Sequence, residues 1–346
     1  MSKKAFIIGY YGSSNLGDEL LLSETVEILQ PHISRENIKA LSYNVELTQK
    51  IHGIKGISRN KFIRILKTIK DSDFLIGGGG SMLQNITSNR SLIYYLALIN
   101  AAFLFRKKVI LLGNGIGPIK GKLQAYLVKK TLLKVDYLHL RDEDSYKWIH
   151  GTGNANIDLG TDLALQRVPI KKNQKKDCVI INLRNWKNID TVKTAVKDLI
   201  VHIEASGYEV VLLSMQKNND DQILKSLGTV YRFDDLAALK QKVESARFIV
   251  GMRLHLLILS AVFSIPFFGL VYDPKVSSFC KKMGQPFFEN LESLKSSDLI
   301  EAFETMKNNE RISIQTIQHR IADMESSNLR MLEKVGYMLG GQNEKN

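Results

Sequence analysis

Residues 248–255, FIVGMRLH, place Arg253 and His255 two positions apart, where a short apolar run breaks at Gly251 and the apolar run LLILSAVF follows. This pattern predicts a buried strand, a turn and a buried helix over residues 254–263. The first turn of a helix is already electropositive, because its N–H groups lack partners and the peptide dipoles add there. Two more cationic side chains at that point imply something negative, with a titratable imidazole beside it. A plainer reading stays open, in which Arg253 pairs with a structural carboxylate and His255 only caps the helix.

Other polar clusters follow the same grammar. KAFIIGYYGSSNLGDELLL reads as strand, glycine-bearing loop and helix, with Asn15, Gly17, Asp18 and Glu19 at the junction. Acidic residues at a helix start are also ordinary capping chemistry. In DFLIGGGGSMLQN a strand is expected to end in Gly77, Gly78, Gly79 and Gly80, with a helix beginning near Ser81. The glycines would let a ligand or another backbone approach closely, and Ser81, Gln84 and Asn85 offer hydrogen bonds. Asn114 and Gly115 follow the strand in KKVILLGNGIGPI, and Arg141 and Asp142 follow the one in VDYLHLRDED. Four strands thus end in polar or glycine-bearing loops on one expected edge, where open α/β sheets place ligands. None is a dinucleotide fingerprint.

The elements that position these residues come in two sets. At 346 residues and 44% hydrophobic composition the chain can build two cores. The basic, aperiodic residues 167–177 read as a linker, after which strand and helix signals restart with CVIINLRNW, which ends in Arg184. The expected division is an N-terminal Rossmann-like domain over 1–168 and a second over 177–310. A helical segment over 311–340 and a tail over 341–346 follow. A cleft between the two α/β halves is expected to hold the ligands.

The net charge of +13 favours acidic partners. Its spread along the chain, with no zinc spacing, ranks nucleic acid lowest. Two cysteines, Cys178 and Cys280, fit a reducing compartment and read as buried structural thiols. No apolar run reaches the ~20 residues of a span, so a soluble, cytoplasmic protein is expected.

The stretches GYYGSSNLGDELLL, FLIGGGGSML, VILLGNGIGPI, LRDEDS, INLRNW and GMRLHLLILSA resemble the polysaccharide pyruvyl transferase family, in particular its bacterial cell-wall polymer enzymes. The resemblance implies an α/β fold of two Rossmann-like domains in a GT-B-like arrangement, phosphoenolpyruvate as donor, and a ketal-linked pyruvate as product. It places Arg253 and His255 in the active centre, with Leu254 between them as a substrate contact. It also implies a lipid-linked oligosaccharide acceptor met at the cytoplasmic membrane face.

That chemistry needs cations for carboxylate and phosphate and one proton donor. Arg253 is expected to hold the anion and His255 to supply the proton. Arg184 and Arg141 are expected to assist donor binding. Asp18, with Glu19 as rival, is expected to take a hydroxyl proton. Asn15, Gly78, Gly79, Ser81 and Asn114 complete the expected substrate contacts. No metal and no cofactor is expected. Two other readings share the architecture: a GT-B glycosyltransferase using a nucleotide sugar, and a non-catalytic glycan- or phosphate-binding protein.

Overall fold

A computed structural model describes residues 2–86, 88–151, 153–154, 156–165, 177–187, 189–233 and 235–340. The expected linker, apart from Asp177, and the expected tail lie outside the described residues.

Two compact units form. The first comprises Met1–Ser14, Asp18–Gln166 and Met324–Asn346; the second comprises Asn15–Gly17 and Arg167–Asp323. A single helix, Glu310–Gly340, is therefore shared between them, and its final part belongs to the first unit. Met331, Val335 and Leu339 are the reason: they pack into the same core as Val26, Leu29 and Ile33.

The first unit is a parallel sheet of seven strands: β1 (Ala5–Tyr11), β2 (Ile38–Ser42), β3 (Lys55–Ser58), β4 (Phe74–Leu83), β5 (Lys108–Ile116), β6 (Tyr137–Leu140) and β7 (Ile157–Leu159). Their order is β3-β2-β1-β4-β5-β6-β7, so the direction of winding reverses between β1 and β4. The strands are apolar almost throughout because both faces are covered. Ile65, Ile69, Leu92 and Ile99 cover one face; Leu22, Val26 and Met331 cover the other.

β4 departs from expectation. It does not stop at the glycines but runs on to Leu83, and the next helix begins only at Asn89, capped by Ser88. Gly79 and Gly80 take φ of +81° and +83°, a left-handed conformation that glycine adopts without a Cβ penalty. The strand bends there and resumes pairing, Gly80 opposite Asn114 and Leu83 opposite Ile116, with a register shift between the two pairs. Asn114 accordingly lies inside β5 rather than after it.

The second unit repeats the plan with six parallel strands: β8 (Cys178–Asn182), β9 (Glu209–Leu213), β10 (Val230–Tyr231), β11 (Phe248–Gly251), β12 (Phe267–Leu270) and β13 (Phe287–Phe288). Their order is β10-β9-β8-β11-β12-β13, and the reversal falls between β8 and β11. The helix after β11 spans Leu254–Val262, and every residue in it except His255 is buried. Cys178 and Cys280 are both buried, and burial pushes the Cys280 thiol up to about 12.

Candidate active site

In open parallel sheets, ligands bind at the carboxyl ends of the strands where the winding reverses. In the second unit that point is the junction of β8 and β11, and Arg184, Arg253 and His255 all follow these two strands. The backbone there is tied together. Met252 N–H donates to the Asn182 carbonyl at 3.1 Å and Arg253 N–H donates to Asn182 Oδ1 at 3.1 Å. Arg184 N–H reaches Met252 Sδ at 3.4 Å.

The Arg253 side chain is occupied. Its Nε donates to Asp220 Oδ1 at 3.1 Å, its Nη2 to the same oxygen, and Nη2 also to Gln216 Oε1 at 2.8 Å. Asp220 is fully buried and accepts three more hydrogen bonds, from the N–H groups of Met215 (3.0 Å) and Gln216 (3.1 Å) and from Asn182 Nδ2 (3.2 Å). A carboxylate so enclosed holds the guanidinium as a bracket of the helix start. This is the plainer reading that the residues had left open for Arg253.

Arg184 has the contrasting environment. Its guanidinium lies over the Tyr272 ring at 4.3 Å, and its buried Nε meets no hydrogen-bond acceptor. Half-buried and stacked on an aromatic face, it carries its charge without a carboxylate partner among the described residues. The helix beside it begins at Leu254, itself buried, and its cap residue Arg253 supplies no side-chain acceptor to the first turn.

His255 stands on that first turn. The second unit includes Asn15–Gly17: Leu16 N–H donates to the Met215 carbonyl at 2.9 Å, and Asn15 pairs with Gln216 as a β-bridge. A Cβ on Gly17 would fall 2.3 Å from His255 Nδ1. Within the second unit, Gly17 of the NLG segment therefore lies against the imidazole of the RLH segment. Asn15 serves the turn itself, its Oδ1 accepting from Gly17 N–H at 3.2 Å.

In the first unit the reversal lies between β1 and β4. Asp18 is half-buried, and its Oδ1 lies 4.0 Å from where a Cβ on Gly80 would stand. Glu19 is different. It is fully buried, accepts from Gly12 N–H at 2.8 Å and lies 2.9 Å from His52 Nε2. One of its oxygens holds Gly12 N–H of the glycine loop and the other faces His52, so both are engaged within the fold. Burial, with Asp18 adding to it, holds the Tyr11 phenol well above its usual range, and Tyr11 donates to the Gly78 carbonyl at 2.7 Å. Gly78 is a packing position, since a Cβ there would come 2.4 Å from Tyr11 Oη. Gly79 lies against Leu21 and Leu163.

Arg141 and Ser81 are brought together, but as structure. Arg141 Nη1 donates to Asp162 Oδ2 at 2.9 Å and Nη2 to Ser81 Oγ at 2.7 Å, with Asp142 Oδ2 3.7 Å from Nε. Two carboxylates balance its charge, which leaves it less able to draw an external anion than its place on the strand edge implied. Asn114 is fully buried and its Nδ2 clasps the carbonyls of Gly77 (3.1 Å) and Leu112 (2.9 Å).

Sequence reasoning missed Asp220, Gln216, Tyr272 and Asp162 as partners. In the sequence Asp220 stands at the head of a helix and Tyr272 just after an apolar strand run, and neither carries a local signal of its distant partner. Among the described residues no three His, Cys, Asp or Glu side chains are grouped to hold a metal ion, and no helix is long and apolar enough to cross a membrane.

The sequence profile of polysaccharide pyruvyl transferases matches residues 15–274, from the NLGDE loop through both switch points to the helix after β12. The chain belongs to the polysaccharide pyruvyl transferase family. It is therefore a transferase. No curated protein matches it by sequence. Similar solved structures include a putative UDP-N-acetylglucosamine 2-epimerase from Listeria monocytogenes, with TM-score 0.68 and 9% identity, covering 100% of this chain and 99% of that one. S. aureus MnaA, solved with UDP, gives TM-score 0.64 and 12% identity, covering 99% of each chain. Anabaena HepE, in complex with UDP and glucose, gives TM-score 0.60 and 11% identity over 98% of this transferase and 100% of HepE. At such identities the likeness is one of fold: α/β, two parallel sheets with interleaved helices, as in GT-B type glycosyltransferases and epimerases.

Proposed function

We propose that the protein transfers pyruvate from phosphoenolpyruvate to two hydroxyls of a sugar in a cell-wall polysaccharide precursor, forming a ketal and releasing phosphate. The observation that carries the donor half is Arg184: a stacked guanidinium with an unsatisfied Nε beside a helix start that has no side-chain cap. Phosphoenolpyruvate presents a carboxylate and a phosphate, and Arg184 with the first-turn N–H groups matches that charge. Arg253, locked to Asp220, fixes the helix start.

His255 then delivers a proton to the methylene carbon of the donor, which becomes a methyl group, while the first sugar hydroxyl bonds to the enol carbon. Asp18 is the base proposed to take that hydroxyl's proton. Breaking the bond to phosphate and closing the second hydroxyl onto the same carbon completes the ketal, and the second hydroxyl's proton leaves with phosphate. No cofactor enters this scheme. The acceptor is expected to be lipid-linked and cytoplasmic.

Incubation with phosphoenolpyruvate and a panel of glycan acceptors should release phosphate and yield a product heavier by pyruvate less one water. Phosphate without that product would overturn the ketal assignment. A nucleotide-sugar glycosyltransferase is the second reading, favoured by neighbours solved with UDP. Protection against thermal unfolding by UDP-sugar and not by phosphoenolpyruvate would establish it instead.

A further inference from the structure

The first unit carries a feature that transfer chemistry does not use. Residues 50–70 contain seven Lys and Arg side chains and no Asp or Glu, so the net charge of +13 is less evenly spread than the chain as a whole suggested. Lys50, Lys55, Lys61, Arg64, Lys67 and Lys70 are exposed, and none has a carboxylate partner among the described residues. Lys50, Lys55, Lys61 and Arg64 line an open groove of about 490 Å³ that also includes one acid, Glu46.

Large apolar side chains stand among these cations. The helix Phe62–Asp71 buries Ile65, Thr68 and Ile69 but turns Phe62 and Ile63 outward, 53% and 85% exposed. Because the sheet is parallel, these residues follow β3 on the same edge where Tyr10 is the penultimate residue of β1, Tyr43 follows β2 and Ile86, 56% exposed, follows β4. Tyr10 and Tyr43 are in ring contact at 4.6 Å, and Arg59 lies over Tyr43 at 4.0 Å and Tyr94 at 5.1 Å. Four successive strand ends thus each present an exposed apolar or aromatic group on one edge.

We infer that this edge docks on the surface of an anionic lipid bilayer, with Phe62 and Ile63 entering the interface and the surrounding cations meeting lipid phosphates. Exposed apolar tips ringed by unpaired Lys and Arg are the composition that lies in such an interface. A second copy of this chain is disfavoured, since it would bring like charges together. Nucleic acid would be met by the cations alone and gives no role to Ile63. Asp18 and the Gly79–Gly80 bend lie on the same edge, so docking would present a lipid-borne sugar to the acceptor side. That consequence rests on the transferase reading; the docking does not.

The test is sedimentation of the full chain with vesicles of phosphatidylcholine alone and of phosphatidylcholine with phosphatidylglycerol, without donor or acceptor. Strong binding to the anionic vesicles is expected, falling with salt. Lys61→Glu, Arg64→Glu and Lys67→Glu together should weaken it about a hundredfold or more, and Phe62→Ser with Ile63→Ser about tenfold or more. Ile63→Trp, which adds apolar surface, should bind at least as tightly as wild type and shift its emission to the blue on anionic vesicles; this variant decides the matter if the others fold poorly. Equal binding to both vesicle types, unchanged binding by the variants, no emission shift, or association with heparin or with itself in place of vesicles would each overturn the inference. Failure here would leave ketal formation untouched, because that is read by product mass.

Discussion

Arg253 grips Asp220 through Nε and Nη2, and Asp220 is buried beneath it with five hydrogen bonds from neighbouring donors besides the second contact of Nε. Removing one partner of such a pair leaves the other as an uncompensated buried charge. Asp220→Ala should therefore cost about 3–5 kcal/mol of stability, read as a lower urea midpoint. Arg253→Lys should not restore the loss, because an ammonium cannot reproduce the two-pronged contact. An unchanged midpoint in Asp220→Ala would contradict the bracket role.

Arg184 should behave oppositely. Its partner is an aromatic face, so Arg184→Ala should alter stability by about 1 kcal/mol or less. Loss of a charge-assisted contact to the donor should raise KM for phosphoenolpyruvate roughly tenfold to a hundredfold. Steady-state phosphate release across donor concentrations would show it.

Gly17 and His255 form a third test. The 2.3 Å approach leaves no room for a methyl group, so Gly17→Ala should displace the imidazole. Turnover should fall about tenfold or more, while protection against heating by phosphoenolpyruvate persists. His255→Gln should show the same split. Near-normal turnover in His255→Gln would remove the imidazole from the mechanism.

Asp18 and Glu19 are adjacent in sequence and should separate cleanly by experiment. Glu19→Ala leaves His52 and Gly12 N–H without their buried acceptor and should destabilise by about 3 kcal/mol. Asp18→Asn should keep the melting temperature and lose turnover. Equal loss of stability in both would show that Asp18 too is structural.

Stability should depend on pH through His139. It is fully buried, its Nδ1 accepts from Gly113 N–H at 3.1 Å, and burial lowers its pKa to about 4 from an ordinary 6.5. The unfolded chain binds a proton there that the folded chain refuses, so the contribution is intact above pH 6.5 and is lost as pH falls toward 4. The full loss is about 3 kcal/mol. Urea midpoints measured across that range should flatten in His139→Gln relative to wild type.

The sequence made the repeated strand, loop and helix pattern legible because fully covered parallel strands are written as continuous apolar runs. The buried helix after Gly251 was legible for the same reason. The course of β4 was not, since glycines at positive φ can bend a strand or end it, and only pairing with β5 decides. β3, β10 and β13, with four, two and two residues, are too short to show a period. At the site, the motifs pointed to Arg253 and His255 and set Arg184 second to Arg253, whereas the contacts of the two guanidiniums favour the opposite ranking for an external anion. That ranking depends on Asp220 and Tyr272, which reach the switch point from other strands.

Diffraction from crystals soaked with phosphoenolpyruvate tests the central claim most directly. The account predicts density at the carboxyl ends of β8 and β11, with donor oxygens about 3 Å from the Arg184 guanidinium and the methylene carbon toward His255. Density on the first unit alone, or on the second unit away from Arg184, would contradict it.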